Sequence, residues 1–192
     1  MMGVVPLARL VPAAMMLMLA VGPQTLLDEH AHDQGVRQFY RSVGEYLLLR
    51  ERLFATLPPL TVTNNVQAIH DAVEARAAAL RRSRAQVRAG SVFNAAVSDL
   101  FRLRIRSAFE KANAAPASLL EEMSEDGDKW RRAVINGRFS WDTACATPPY
   151  VLAVLPSLPD PLQYRFVGTD LALVDIDASY IVDVLPDALE VG

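Results

Sequence analysis

Cysteine is almost missing from this chain: among its 192 residues only Cys145 carries a thiol, so no intrachain disulfide can form and no thiolate metal cluster can be built. Histidine is scarce at three, and two lysines stand against 17 arginines. That arginine bias reads as the mark of a genome rich in G and C and carries no functional weight. No apolar run reaches the ~20 residues a spanning helix needs, because Arg9 interrupts the longest one. The chain also lacks a Gly-x-Ser-x-Gly elbow, a phosphate loop and a dinucleotide glycine fingerprint, and Cys145, in TACAT, has no histidine near it in sequence. Any enzyme site would therefore have to be assembled from distant segments.

What is present begins with Arg9 followed by LVPAAMMLMLAVG, uncharged and ending in small residues. This is the layout of a signal peptide, assigned to residues 1–22, and it predicts export to the periplasm or cell envelope. Pro23 follows the small-residue site Ala20-Val21-Gly22 and disfavours cleavage there. A segment left uncleaved would hold the protein at the membrane.

A helical domain is expected over 23–128. Phe39, Tyr40, Val43, Tyr46, Leu47, Leu53, Phe54 and Leu57 recur at helical intervals until Pro58-Pro59. Thr63, Asn64 and Asn65 offer N-caps for a second helix through Val66, Ile69, Val73, Leu80 and Val87 to Gly90, and Ser91 offers one for a third through Phe93, Val97, Leu100, Phe101, Ile105 and Phe109. The second apolar seam of a coiled coil fails at Arg76 and Ser83, so the three pack within the chain as an antiparallel bundle. A short helix is expected at 117–123.

A short hairpin region is expected at 129–147, centred on the Asn-Gly of VINGRF, with Trp130 and Trp141 pinning it to the core. A proline-rich extended linker, 148–162, leads to a C-terminal β module at 163–192, where apolar runs broken at Gly168-Thr169 and at Asp177-Ala178-Ser179 predict a three-stranded antiparallel meander. The fold class is thus α+β, mainly α: a three-helix antiparallel bundle with a small C-terminal antiparallel β-meander.

The tail YRFVGTDLALVDIDASYIVDVLPDAL, with VINGRFSW and ATPPYVLAVLPSLP upstream, resembles a group of uncharacterised exported bacterial proteins that end in this proline-rich segment and an Asp-rich hairpin. The resemblance implies export and this architecture. It brings no activity and no site residue.

The candidate ligand sets are weak. In LLDEHAHDQG, His30 and His32 lie about 200° apart on a helix and cannot share a face, and His70 is distant. Asp175, Asp177, Ser179 and Asp183 follow a calcium-loop spacing, but Tyr180 and Pro186 stand where glycine and a bidentate glutamate belong, and the acids read more simply as outward charges on strand edges. Glu121, Glu122 and Asp126 read as a solvated acidic loop. No catalytic, cofactor-binding or metal residue and no cofactor is therefore assigned.

Charge is segregated, with basic residues between 76 and 106 and acidic ones from 160 onward. Arg81, Arg84 and Arg88 are expected to share one exposed face, and Arg102 and Arg106 another, as candidate contacts to an anionic surface, while the β module docks through apolar residues such as Tyr164, Phe166 and Val182. The expected role is that of a non-enzymatic exported envelope protein binding a partner protein or an anionic membrane surface, with no role for nucleic acid. The alternative is an enzyme, hydrolase-like, with a site built from distant residues.

Overall fold

The computed structural model describes residues 23–59, 63–123 and 132–190, and side chains from residue 34 onward except at 122, 123 and 143. The expected signal peptide, Trp130 and the acidic 124–128 loop lie outside the described residues, as do the side chains of the 28–33 stretch.

The protein is α+β, with five α-helices and one four-stranded antiparallel sheet among the described residues. Helix α1 (Pro23–Phe54) buries Phe39, Val43 and Tyr46 at four- and three-residue spacing, the stripe its apolar periodicity predicts. Its backbone includes residues 28–33. Asn65 caps α2 (Val66–Ser83), its Oδ1 accepting the Ala68 N–H at 3.1 Å. Helix α2 stops well short of Gly90, because Arg84 turns from its end into the body of the protein.

Asn94, not Ser91, caps α3 (Ala95–Lys111) by accepting the Val97 N–H. The preceding N–H groups of Val92 and Phe93 are given to Asp183, which holds the chain out of helix until Asn94. α4 spans Pro116–Met123 and α5 spans Pro149–Leu152.

Strands β1 (Cys145–Ala146), β2 (Leu162–Val167), β3 (Asp170–Asp175) and β4 (Tyr180–Leu185) lie in that order, all antiparallel. The meander β2 to β4 breaks at the two turns that the sequence marks, and β1 adds a fourth strand. The register slips between Leu173 and Val174, leaving Val182 without a partner on β3. The Val182 carbonyl instead accepts from Arg84 Nη2 at 2.8 Å.

One hydrophobic core joins α1, α2, α3 and α4 to the sheet, including Tyr164, Phe166 and Val182 as the docking residues expected of the β module. α1 packs against both α2 and α3, while α2 also rests on the 3-10 turn Ile176–Ala178. The long helices therefore share their core with the sheet as a helical layer on a β layer, and five helices among the described residues stand where the sequence predicts a three-helix antiparallel bundle.

The sheet's second face is covered as well. Phe139, Val167, Ala172, Val174, Ile181 and Val184 form a smaller core there. This double coverage overturns the reading of the strand acids as outward charges for Asp175 and Asp183, which are buried as Asp170 is, while Asp177 at the turn remains partly exposed. Every position of β3 and β4 is buried, so the runs LALV and YIV are continuous apolar stretches with acids inserted among them.

Three further expectations are corrected. The Asn-Gly turn forms, with Asn136 left-handed and Gly137 N donating to Val134 O, but its described flanks do not make a hairpin. Asn136 N donates to Ile181 O, Ile181 N to Gly137 O and Phe139 N to Ser179 O, so the segment lies along β4, whose edge offers longer pairing than its own short flanks. Trp141 is 51% exposed rather than core. The proline-rich 148–162 stretch is packed rather than an extended linker, since it contains α5 and buries Val151 and Leu155.

Gly90 takes φ +90° and donates its N–H to Asp183 at 3.0 Å. A Cβ there would meet only Phe93 O at 3.6 Å, so the cost of substitution lies in the backbone. Gly90→Ala is expected to lower the unfolding free energy by about 1–2 kcal/mol, read as an earlier urea midpoint at unchanged slope.

Candidate binding groove

Strand β1 is short because Pro148 and Pro149 follow Thr147, and proline cannot continue a ladder. The chain instead turns into α5 and returns to the sheet at Leu162. Between this excursion and β2 lies a cleft of about 480 Å³, with Thr147, Leu152, Ser157, Gln163, Tyr164 and Arg165 among its walls.

Hydrogen bonds fix those walls. Thr147 Oγ1 donates to Tyr164 O at 2.9 Å, Tyr164 OH donates to Pro156 O at 3.0 Å, and the hydroxyls of Tyr40 and Ser157 meet at 3.3 Å. Burial pushes the Tyr164 phenol well above its ordinary pKa, so it remains a donor throughout the working range of pH. Arg104 Nη1 donates to Val154 O at 3.1 Å and ties the excursion to α3.

Arg165 is the one charged residue among the described residues of the lining. Its Nη2 donates to Gln163 Oε1 at 2.6 Å and its guanidinium lies over the Trp141 ring at 5.0 Å, while Nε is buried with no partner among the described residues. Among the described lining residues there is no histidine, carboxylate or thiol. The arrangement is suited to binding, with an apolar floor, a few fixed polar groups and one oriented cation.

Of the two arginine faces expected from charge segregation, the one on α2 is not assembled. Arg81 is partly exposed and donates to Glu74 at 3.3 Å. Arg84 is buried, donating to Val182 O and Ser91 Oγ and lying over the Tyr46 ring at 5.3 Å. Arg88 is exposed but lies beyond the end of α2, so the expected Arg81, Arg84 and Arg88 helix face is not assembled. On α3, Arg102 Nη2 donates to Pro186 O at 3.0 Å and Arg106 is exposed.

The acids of the calcium-like spacing also diverge. Asp175 Oδ2 accepts from Tyr46 OH and from Arg50 Nε, each at 2.7 Å, and Arg50 Nη2 reaches Asp177. Asp183 faces the other way, toward the backbone of Gly90, Val92 and Phe93. Asp170 accepts from Arg132 Nη1 and from the N–H groups of Ala133 and Asp187. Among the described residues no group of three His, Cys, Asp or Glu is placed to hold a metal, and no described helix is long and apolar enough to cross a membrane.

Burial raises the Asp175 pKa more than its bonds to Tyr46 and Arg50 lower it. The Tyr46 phenol is pushed upward by burial first and by Asp175 second. This Tyr–Asp–Arg set ties α1 to the sheet, with Tyr46 OH and Arg50 Nε directed at Asp175 and Arg50 Nη2 at Asp177.

Sequence reasoning missed the groove residues because no local motif marks them. The legible trace was Pro148-Pro149, which ends one strand while its neighbour continues. Searches for a matching family model, a curated protein and a solved structure each found no match to this chain.

Proposed function

We propose that this chain is a non-enzymatic exported envelope protein that receives a partner protein in the groove beside β2. One observation carries the reading: a cleft of about 480 Å³ borders a sheet edge at which β1 pairs only with Phe166 and Arg165. Its size is that of a ligand site, and its walls are fixed by Thr147, Tyr164 and Ser157. The anionic-membrane reading is less well supported, because Arg84 is buried and Arg102 is engaged. The enzyme reading would draw on Tyr46 and Asp175, whose geometry serves an ion-paired tie between helix and sheet. Export rests on Arg9 and the apolar run after it.

Photo-cross-linking in intact host cells tests both halves together, with the cross-linker placed at Leu152, Gln163 or, as control, Arg88. The groove positions are expected to capture one identifiable envelope protein, on a chain that has lost roughly 20 to 27 N-terminal residues. Capture from Arg88 alone, or a full-length cytosolic chain, would overturn the reading.

A further inference from the structure

Resting on that groove reading, we propose that the occupant is an extended peptide segment carrying an acidic side chain, which pairs with the backbone of residues 162–164 in line with β1 and sets its carboxylate on Arg165. The two sides of β2 are unequal. β3 pairs with it from Leu162↔Asp175 to Val167↔Asp170, whereas β1 pairs only with Phe166 and Arg165. At Tyr164 the carbonyl accepts from the Thr147 hydroxyl, a side chain standing where a strand N–H would otherwise come.

About 10 Å of strand edge, at 3.4 Å per residue, thus borders a cleft instead of another strand, although Leu162 N already donates to Pro159 O at 3.0 Å and is not open to an added segment. Proteins usually cover or charge such an edge. Here the bonds from Tyr164 to Pro156 and between Tyr40 and Ser157 hold the opposite wall in place across the cleft. An extended segment adds naturally to an edge of this kind, because main-chain pairing gives affinity and alternate side chains give specificity.

The charge selects the segment. Among the described residues Arg165 is the only charged one in the lining, its partner Gln163 is neutral, and Trp141 supports the guanidinium plane at 5.0 Å. A planar, oriented guanidinium with no carboxylate partner among the described residues favours a carboxylate over an amide or a hydroxyl.

The test uses the full-length protein and two fluorescent heptapeptides with blocked ends, one alternating valine with aspartate and the other valine with asparagine. By anisotropy the aspartate peptide is expected to bind at least about tenfold more tightly, the ratio one charge-assisted hydrogen bond supplies. N-methylation of its central backbone amides should abolish binding. Arg165→Gln should erase the preference, bringing the aspartate peptide's affinity down to that of the asparagine peptide in the same variant, with a melting scan to verify that the variant is folded. Equal affinity for the two peptides, indifference to N-methylation, or binding of phosphatidylglycerol vesicles in place of either peptide would overturn the proposal. If neither peptide binds while Leu152 and Gln163 still capture a partner in cells, this inference falls and the groove reading survives; if capture fails too, both fall.

Discussion

Asp183→Ala is expected to remove about 3–5 kcal/mol of stability, the scale seen when a buried hydrogen-bonded carboxylate is deleted and its partners are stranded. Oδ2 accepts from Val92 N at 2.6 Å and Phe93 N at 2.8 Å, and Oδ1 from Gly90 N at 3.0 Å and its neighbour Val184 N at 2.9 Å. The carboxylate is fully buried, so water cannot replace it at Val92 and Phe93 without opening the core. Asp183→Asn keeps one acceptor oxygen but turns a donor toward backbone N–H groups, so it should lose nearly as much. At roughly 2–4 °C per kcal/mol for a chain of this size, a melting scan would show a fall of about 6–20 °C. The loss should be local first: hydrogen exchange at Val92 and Phe93 is expected to accelerate before that in β3. A variant melting within a couple of degrees of the parent would mean that the loop finds other acceptors.

The same residue shows how far the sequence could be read. The apolar runs and the turn at Gly168-Thr169 were enough to place β2, β3 and β4, because strand breaks depend on local turn chemistry, and Gly168 takes φ 58° at that turn. Which way the strand acids pointed was not local. It depended on residues 132–144 covering the sheet's second face, a segment with too little periodicity to announce that role. The one usable clue was that Asp183 stands between Val182 and Val184, an acid in an otherwise apolar strand. Such a group calls for buried donors as readily as for solvent.

Arg84 was misplaced for a related reason. Helical spacing put it on a face with Arg81 and Arg88, but α2 ends at Ser83, and the β4 bulge at Val182 presents an unpaired carbonyl to the guanidinium. The bulge lies 98 residues along the chain from the arginine at the helix end, and only the fold joins them. The groove has the same character. Pro148 and Pro149 are local signals for the end of β1, but β2's open edge beside them is a fact of register.

Removing the positive charge from the helix-to-sheet tie should be as damaging as deleting Asp183, but in a way that depends on pH. Arg50→Ala takes from Asp175 the guanidinium that contacts its Oδ2 at 2.7 Å, leaving a fully buried carboxylate with only the Tyr46 hydroxyl. Uncompensated buried charge costs about 3–5 kcal/mol at neutral pH. The stack of Arg50 on the Phe54 ring at 4.5 Å is lost as well.

Asp175 already has its pKa raised above the ordinary 3.8, by burial first, so the folded chain retains a proton that the unfolded chain releases. An acid shifted in this direction adds stability as pH falls from neutral through its raised folded value, and the gain is complete once the pH is below the unfolded value. In Arg50→Ala the folded value moves higher still, because the charge that lowered it has gone. The deficit of the variant should therefore be largest near neutrality and shrink steadily on acidification toward the ordinary carboxylate range. Urea unfolding curves for parent and variant, taken at intervals from pH 7 downward, measure this convergence directly. Parallel stability profiles, or a neutral-pH deficit below about 1 kcal/mol as for an exposed ion pair, would show that Arg50 does not hold the buried carboxylate in place.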